Sequence, residues 1–201
     1  MARSAFYEES AISTNERKER RAYQVFHIAS IVMLVIAALL ILFSLTSVPS
    51  ILSDEKLTGT QKAVSIVVWF LPILSLVGFF FLFRFIKRRK NLSFDYTFVE
   101  DELRVTKVFN GKSRKHLRTF KADQILKIGY VDSDSFERTL AGMQGKKAIP
   151  LTPNDRAAEG KMFIYLLYSS SIEKSLYILE CRKELLEYLV FAAGRNKFES
   201  K

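Results

Sequence analysis

Seven basic side chains, Arg104, Lys107, Lys112, Arg114, Lys115, Arg118 and Lys121, fall within residues 104–121 with no acidic residue among them. Cations gathered at this density attract phosphate- or carboxylate-bearing surfaces, and that is the chemistry the stretch could perform. Residues 91–201 carry 19 Lys plus Arg against 15 Asp plus Glu, so a local charge of +7 sits on a region of only +4. Three readings stand open. The cluster is a solvated hairpin whose lysines guard an exposed strand edge, a platform held against an anionic membrane leaflet, or a nucleic-acid contact, for which no accompanying motif is present. The candidate anionic-lipid or partner-binding residues are Lys107, Lys112, Arg114, Lys115 and Arg118.

Catalytic chemistry finds little support. The chain has no P-loop, G-x-S-x-G, H-E-x-x-H, C-x-x-C or dinucleotide-binding glycine pattern. Its one cysteine, Cys181, follows Leu176, Ile178 and Leu179 and reads as a small buried apolar residue. His27 and His116 have no evident partner, and Asp132 and Asp134 read as a solvated acidic turn before a cation site. No catalytic, cofactor-binding or metal-binding residue is assigned, no cofactor is expected, and the chain is read as a non-enzyme.

The basic cluster needs strands to hold it. Phe94, Tyr96 and Phe98 alternate with Asp95, Thr97 and Val99, which predicts a strand with one aromatic face. A second strand follows over residues 103–109. Asn110-Gly111 is a hairpin signal, because both residues tolerate the positive φ of a type I′ turn. A third strand over residues 113–120 then sets Lys107 across from Arg114. Residues 122–131 give a fourth strand, residues 132–160 an irregular region with room for one short strand or helical turn, and residues 161–169 and 175–181 two more strands joined by a turn at 170–173. A helix over residues 182–194 closes the chain, with Leu185, Leu186, Leu189, Val190 and Ala193 as one apolar stripe.

Ahead of this lie two uncharged runs, residues 25–45 and 63–83, each 21 residues long. At 1.5 Å per residue each covers about 32 Å, the thickness of a bilayer's hydrocarbon core. Ala29, Ala37 and Ala38, with Ser75 and Gly78, offer small surfaces for helix contact, and Pro72 predicts a modest kink. Arg17, Lys18, Arg20 and Arg21 precede the first run and Arg84, Lys87, Arg88, Arg89 and Lys90 follow the second, while the loop between holds only Lys56 and Lys62. By the positive-inside rule both termini face the cytoplasm. The first run is too long for a cleaved signal peptide and lacks a small-residue cleavage site. Residues before it read as a short surface helix or a frayed arm.

Four strands, an irregular crossing, further strands and a closing helix form a particular order. With FDYTFVEDELRVTKVFNGKSRKHLRTFKADQILKI and LYILECRKELLEYLVFAAG, the chain resembles bacterial pleckstrin-homology-like membrane proteins. More narrowly, it resembles a group of small two-span proteins sharing an aromatic EYT-like strand, a basic RRK-like third strand and an E-x-x-L helix. The resemblance implies a curved antiparallel barrel capped by a helix, and no mechanism. Lys107, Lys112 and Arg114 also fit the loose basic pattern that eukaryotic pleckstrin-homology domains use for phosphoinositide headgroups.

The expected fold class is a membrane α-helical hairpin plus an α+β cytoplasmic domain, a curved antiparallel sheet or barrel capped by a C-terminal helix. The expected division is an N-terminal arm (1–22), a transmembrane hairpin (23–86) and a PH-like domain (91–201) that folds alone from about residue 92. The expected function is a membrane-tethered binding or scaffolding module at the cytoplasmic face of the plasma membrane. Its partners would be membrane lipids with anionic headgroups or an unidentified protein, with no nucleic acid. The alternative is an accessory subunit of a membrane transport or secretion complex.

Overall fold

The computed structural model describes residues 6–143, 145–170 and 173–199. In chain order the elements are β1 (Phe6–Ile12), α1 (Glu16–Ser53), α2 (Gly59–Arg88), β2 (Leu92–Val99), β3 (Glu102–Phe109), β4 (Ser113–Lys121), β5 (Ile125–Tyr130), α3 (Asp134–Ala141), β6 (Ile149–Pro150), β7 (Met162–Ser169), β8 (Lys174–Cys181), α4 (Lys183–Ala193) and β9 (Phe198–Glu199). They form two compact units: residues 17–90, and a discontinuous unit made of residues 1–16 with 91–201.

In the helical unit, α1 and α2 are long and apolar enough to cross a membrane, and only 17% and 6% of their most apolar windows are buried. Core helices of a soluble protein would be covered, so the two helices fit a two-span membrane protein. They run antiparallel, with Phe26 against Phe83 at 5.8 Å and Phe43 against Trp69 at 5.6 Å. Of the five small residues expected at the contact only Ala37 is buried. Ser30 and Ser44 flank it at seven-residue spacing, each hydroxyl satisfied by its own helix through the carbonyls of His27 and Ile41 at 2.7 Å. A seven-residue repeat keeps one seam facing the neighbour, which the expected set of alanines does not. Helix α2 continues through Pro72. At its start, Thr58 and Gln61 form a capping box.

The discontinuous unit holds two sheets, β1-β2-β3-β4 and β6-β8-β7-β5-β9. Their shared core contains Phe94, Tyr96, Phe98, Leu103, Val105 and Phe120 from the first sheet, and Ile125, Ile128, Ile164, Leu166 and Leu179 from the second. Leu185, Leu186, Leu189 and Ala193 of α4 belong to the same core. The region over residues 132–160 holds both a helix and a two-residue strand. The 170–173 turn falls partly outside the described residues.

Two expectations are corrected. The N-terminal arm is, over Phe6–Ile12, a full strand antiparallel to β2 in unbroken register from Phe6↔Val99 to Ile12↔Ser93. Its Ala11 is fully buried and its Tyr7 packs on Tyr188 of α4 at 5.5 Å. Mixed charges hid it, because Glu8 and Glu9 belong to an edge strand. The sheet also does not close into a barrel. Where β1 meets β8 the seam is made by side chains. Glu9 accepts the Arg182 backbone N–H at 3.2 Å, and Lys161 Nζ donates to the Ser10 carbonyl at 2.5 Å.

Because β1 completes the first sheet, residues 92–201 alone are expected to lack a cooperative melt, losing at least about 3 kcal/mol in burial and hydrogen bonds. Joining residues 6–16 directly to 91–201 through a short Gly/Ser turn should restore it. Circular dichroism melts of the two proteins check this, and equal stability would remove β1 from the fold.

Candidate functional site

The basic hairpin is positioned by β3, β4 and the turn between them. Asn110 and Gly111 take φ of 52° and 66°, and the Lys112 N–H donates to the Phe109 carbonyl at 3.1 Å, as a type I′ turn requires. The register runs one residue beyond expectation. Phe109 pairs with Ser113, which places Lys107 opposite Lys115 and Val108 opposite Arg114. A register shift follows between Thr106, opposite His116, and Val105, opposite Arg118, so Leu117 is the extra residue of a β-bulge.

The bulge decides the site. Lys115 and Arg118 are three apart and would point to opposite faces of a regular strand. With Leu117 inserted, Lys107, Lys115 and Arg118 all lie on the face that carries Phe94, Tyr96 and Val105. Lys107 Nζ stands 5.5 Å from both the Phe94 and Phe109 ring centroids. Arg118 donates to the Tyr177 hydroxyl and lies over the Tyr168 and Tyr177 rings at 5.8 and 5.3 Å. Among the described residues no carboxylate lies within ion-pair distance of Lys107, Lys112, Lys115 or Arg118. Arg114 is on the other face, 3.7 Å from Asp95 Oδ2, and Asp95 also accepts the Ser10 hydroxyl at 2.7 Å. Lys112 sits in the turn. Three of the five candidates therefore share one face, one is paired with a carboxylate on the other face, and one sits in the turn.

Such a face can hold an anion. Two ammonium groups opposite one another repel unless an anion or water intervenes, and the aromatic floor orients the cations without neutralising them.

Sequence reasoning missed the polar seam behind this face. Glu180 is fully buried in β8. Its Oε2 accepts from Thr152 Oγ1 at 2.5 Å and Asn154 Nδ2 at 2.7 Å, and its Oε1 from the Ala158 N–H at 2.9 Å. Asn154 also reaches β1, donating to the Ile12 carbonyl and accepting from the Thr14 N–H, each at 2.8 Å. Tyr96 joins the sheets, donating to the Leu151 carbonyl at 2.8 Å and accepting from the Glu180 N–H at 3.3 Å, and burial pushes its phenol well up. The available signal was a lone carboxylate inside the apolar run LYILEC. Burial likewise pushes the Cys181 thiol up, far from a nucleophile's range. His27 does find a partner, Lys87 Nζ at 2.9 Å from its Nδ1. Among the described residues no three His, Cys, Asp or Glu side chains, Asp132 and Asp134 included, gather at a metal-sized site.

Residues 5–198 match a family model described as Bacterial PH-like domain (DUF6106). The match runs through β1, both apolar helices and both sheets. No curated protein and no solved structure matches the chain.

Removing the Asn154 amide leaves a buried carboxylate and the end of β1 each short of a partner. Asn154→Ala should cost about 2–3 kcal/mol, and Asn154→Asp more, since it sets a second carboxyl against Glu180. Thermal unfolding of the detergent-solubilised chain checks the order. Wild-type stability in both variants would show that the seam is unimportant.

Proposed function

Because the chain belongs to this bacterial PH-like domain family, we propose that it is a membrane-tethered binding module. In this reading, the face carrying Lys107, Lys115 and Arg118 engages the anionic headgroups of the cytoplasmic leaflet. The observation that carries it is the placing of three cations on one aromatic-floored face, with no carboxylate within ion-pair distance of them among the described residues. Lys112 at the turn adds to the same field, and Arg114, held by Asp95, contributes little.

Connectivity supports the tether. The chain leaves β1 for α1 through residues 13–15 and returns from α2 to β2 through residues 89–91. Both links are three residues long, so the sheet domain is joined to the hairpin by two short covalent connections. A domain assembled from chain on both sides of a hairpin cannot be divided by a bilayer, so both helix ends lie on one side. The basic flanks support the cytoplasm as that side, by the positive-inside rule. Tethering raises the local concentration of headgroups, and a weak site then suffices.

Two measurements test this. In a Cys181→Ala background, Glu55→Cys between the helices should label with an impermeant thiol reagent on intact cells and Lys112→Cys should not, whereas the reverse pattern would invert the topology. Once the protein with residues 17–90 replaced by a short turn is shown to fold, it should bind vesicles containing anionic lipid and ignore neutral ones. That binding should weaken with salt, since charges are screened beyond about 8 Å at physiological ionic strength. At about 1 kcal/mol per cation, changing Lys107, Lys115 and Arg118 together to Gln should lower the affinity on the order of 100-fold. Unchanged binding, or none at low salt, would return the cluster to a solvated surface.

A further inference from the structure

The last described residues fold back on the domain in an uncommon way. Gly194, at a φ of 103°, ends α4, and a turn over Arg195–Lys197 lays Phe198 and Glu199 parallel to β5, Phe198 against Ile128 and Glu199 against Gly129. Without this two-residue strand, β5 would be an open edge of its sheet.

Glu199 enters a built cradle. Its Oε1 accepts from Lys127 Nζ at 2.6 Å, and its Oε2 from the Tyr165 hydroxyl at 3.0 Å. The Ser135 hydroxyl stands 2.5 Å from the Tyr165 hydroxyl and backs it against the carboxylate. Tyr165 is fully buried and Ser135 nearly so, so two of the three groups aimed at the carboxylate are fixed by the core. Together they hold the Glu199 carboxyl down at about 2, the Lys127 hydrogen bond contributing most. Gly129 makes the approach possible. A Cβ there would meet the Tyr165 ring at 2.7 Å and push it from its place. Arg138 and Lys174 line the same hollow, adding positive charge beyond what one carboxylate uses.

Phe198 fills a neighbouring apolar position. Its ring stands edge-on to Tyr130 at 5.7 Å, in a groove of about 680 Å³ that also takes in Leu186, Val190 and Phe191. Phe191 is 82% exposed there. A two-residue ladder, one ring contact, one ion pair, the Tyr165 hydrogen bond and a Lys197 Nζ bond to the Asp123 carbonyl at 3.2 Å hold the segment, a local set that a competitor carrying the same groups can reproduce.

We propose that the β5 edge, the Lys127, Ser135 and Tyr165 cradle and the Tyr130 groove form a docking site for an extended segment of a partner protein. That segment carries an aromatic residue followed directly by an acidic one. Phe198 and Glu199 of the chain itself are the resident occupant and mark the chemistry the site accepts. Backbone pairing with β5 supplies attachment for any extended segment, and the two pockets, one apolar and one cationic, select adjacent side chains on opposite faces of it. The surplus cations Arg138 and Lys174 favour further acidic residues. This site is separate from the basic hairpin and does not depend on its ligand.

The test uses the full chain in detergent with Phe198→Ala and Glu199→Gln together, which vacates both pockets while keeping the chain length. A fluorescent peptide of sequence NKFESK is titrated by polarisation. The opened chain should bind it at least about tenfold more tightly than the unaltered chain, whose own tail competes. A peptide NKAQSK should bind neither chain. Adding Lys127→Gln to the opened chain should weaken NKFESK again by about tenfold, with circular dichroism unchanged as the folding control. No binding by the opened chain, equal binding by both chains, or equal binding of the two peptides would overturn the proposal. So would an unaltered chain that dimerises and becomes monomeric on opening, since the occupant would then be a second copy.

Discussion

The antiparallel ladder between β1 and β2 is the constraint on which the rest of this molecule depends. Its paired residues Ile12 and Ser93 are separated in sequence by both apolar helices, yet lie one strand spacing apart. Closing a flexible loop of roughly 80 residues would cost about 4 kcal/mol in chain entropy. The antiparallel hairpin offsets much of that cost, because contacts such as His27 with Lys87 hold its two ends together. The membrane-length helices are in this sense the connection of a β-hairpin, and the sheet is completed only when both have been made.

From that ladder the order of the domain follows. With β1 in place, Glu9 meets the N-terminus of α4, a position where the exposed N–H groups favour a carboxylate. Burial raises the Glu9 carboxyl against that attraction. The seam between the sheets is then closed by Asn154 and Glu180 instead of a backbone ladder. A buried carboxylate is tolerated only when donors surround it. The irregular segment around Thr152, Asn154 and Ala158 takes its path from the need to supply them. The end of what reads in sequence as an irregular crossing is thus organised around one acid.

The basic face shows the same dependence of chemistry on irregularity. One inserted residue, Leu117, turns Arg118 to the side of Lys107 and Lys115 and concentrates charge on an aromatic floor. Without it the cations would divide between two faces and each half would be an ordinary solvated surface. Arg114, equally basic in sequence, is spent on Asp95. In the second sheet, Gly129 plays a comparable part, clearing the space in which Tyr165 reaches Glu199.

Local pattern alone determined a good deal. Two uncharged runs of bilayer length, the aromatic alternation of Phe94, Tyr96 and Phe98, the Asn110-Gly111 turn and the apolar stripe of Leu185, Leu186 and Leu189 were legible because each depends on neighbours within one or two turns of chain. The excess of cations over residues 104–121 was legible for the same reason. Other features came only with the tertiary structure. Glu8 and Glu9 mask a strand whose partner lies almost ninety residues on, the register of a hairpin changes with one bulged residue, and the role of Glu180 exists only once Asn154 is beside it. Pairing partners, bulges and buried donors are properties of contacts between distant segments, and no periodicity within a segment encodes them.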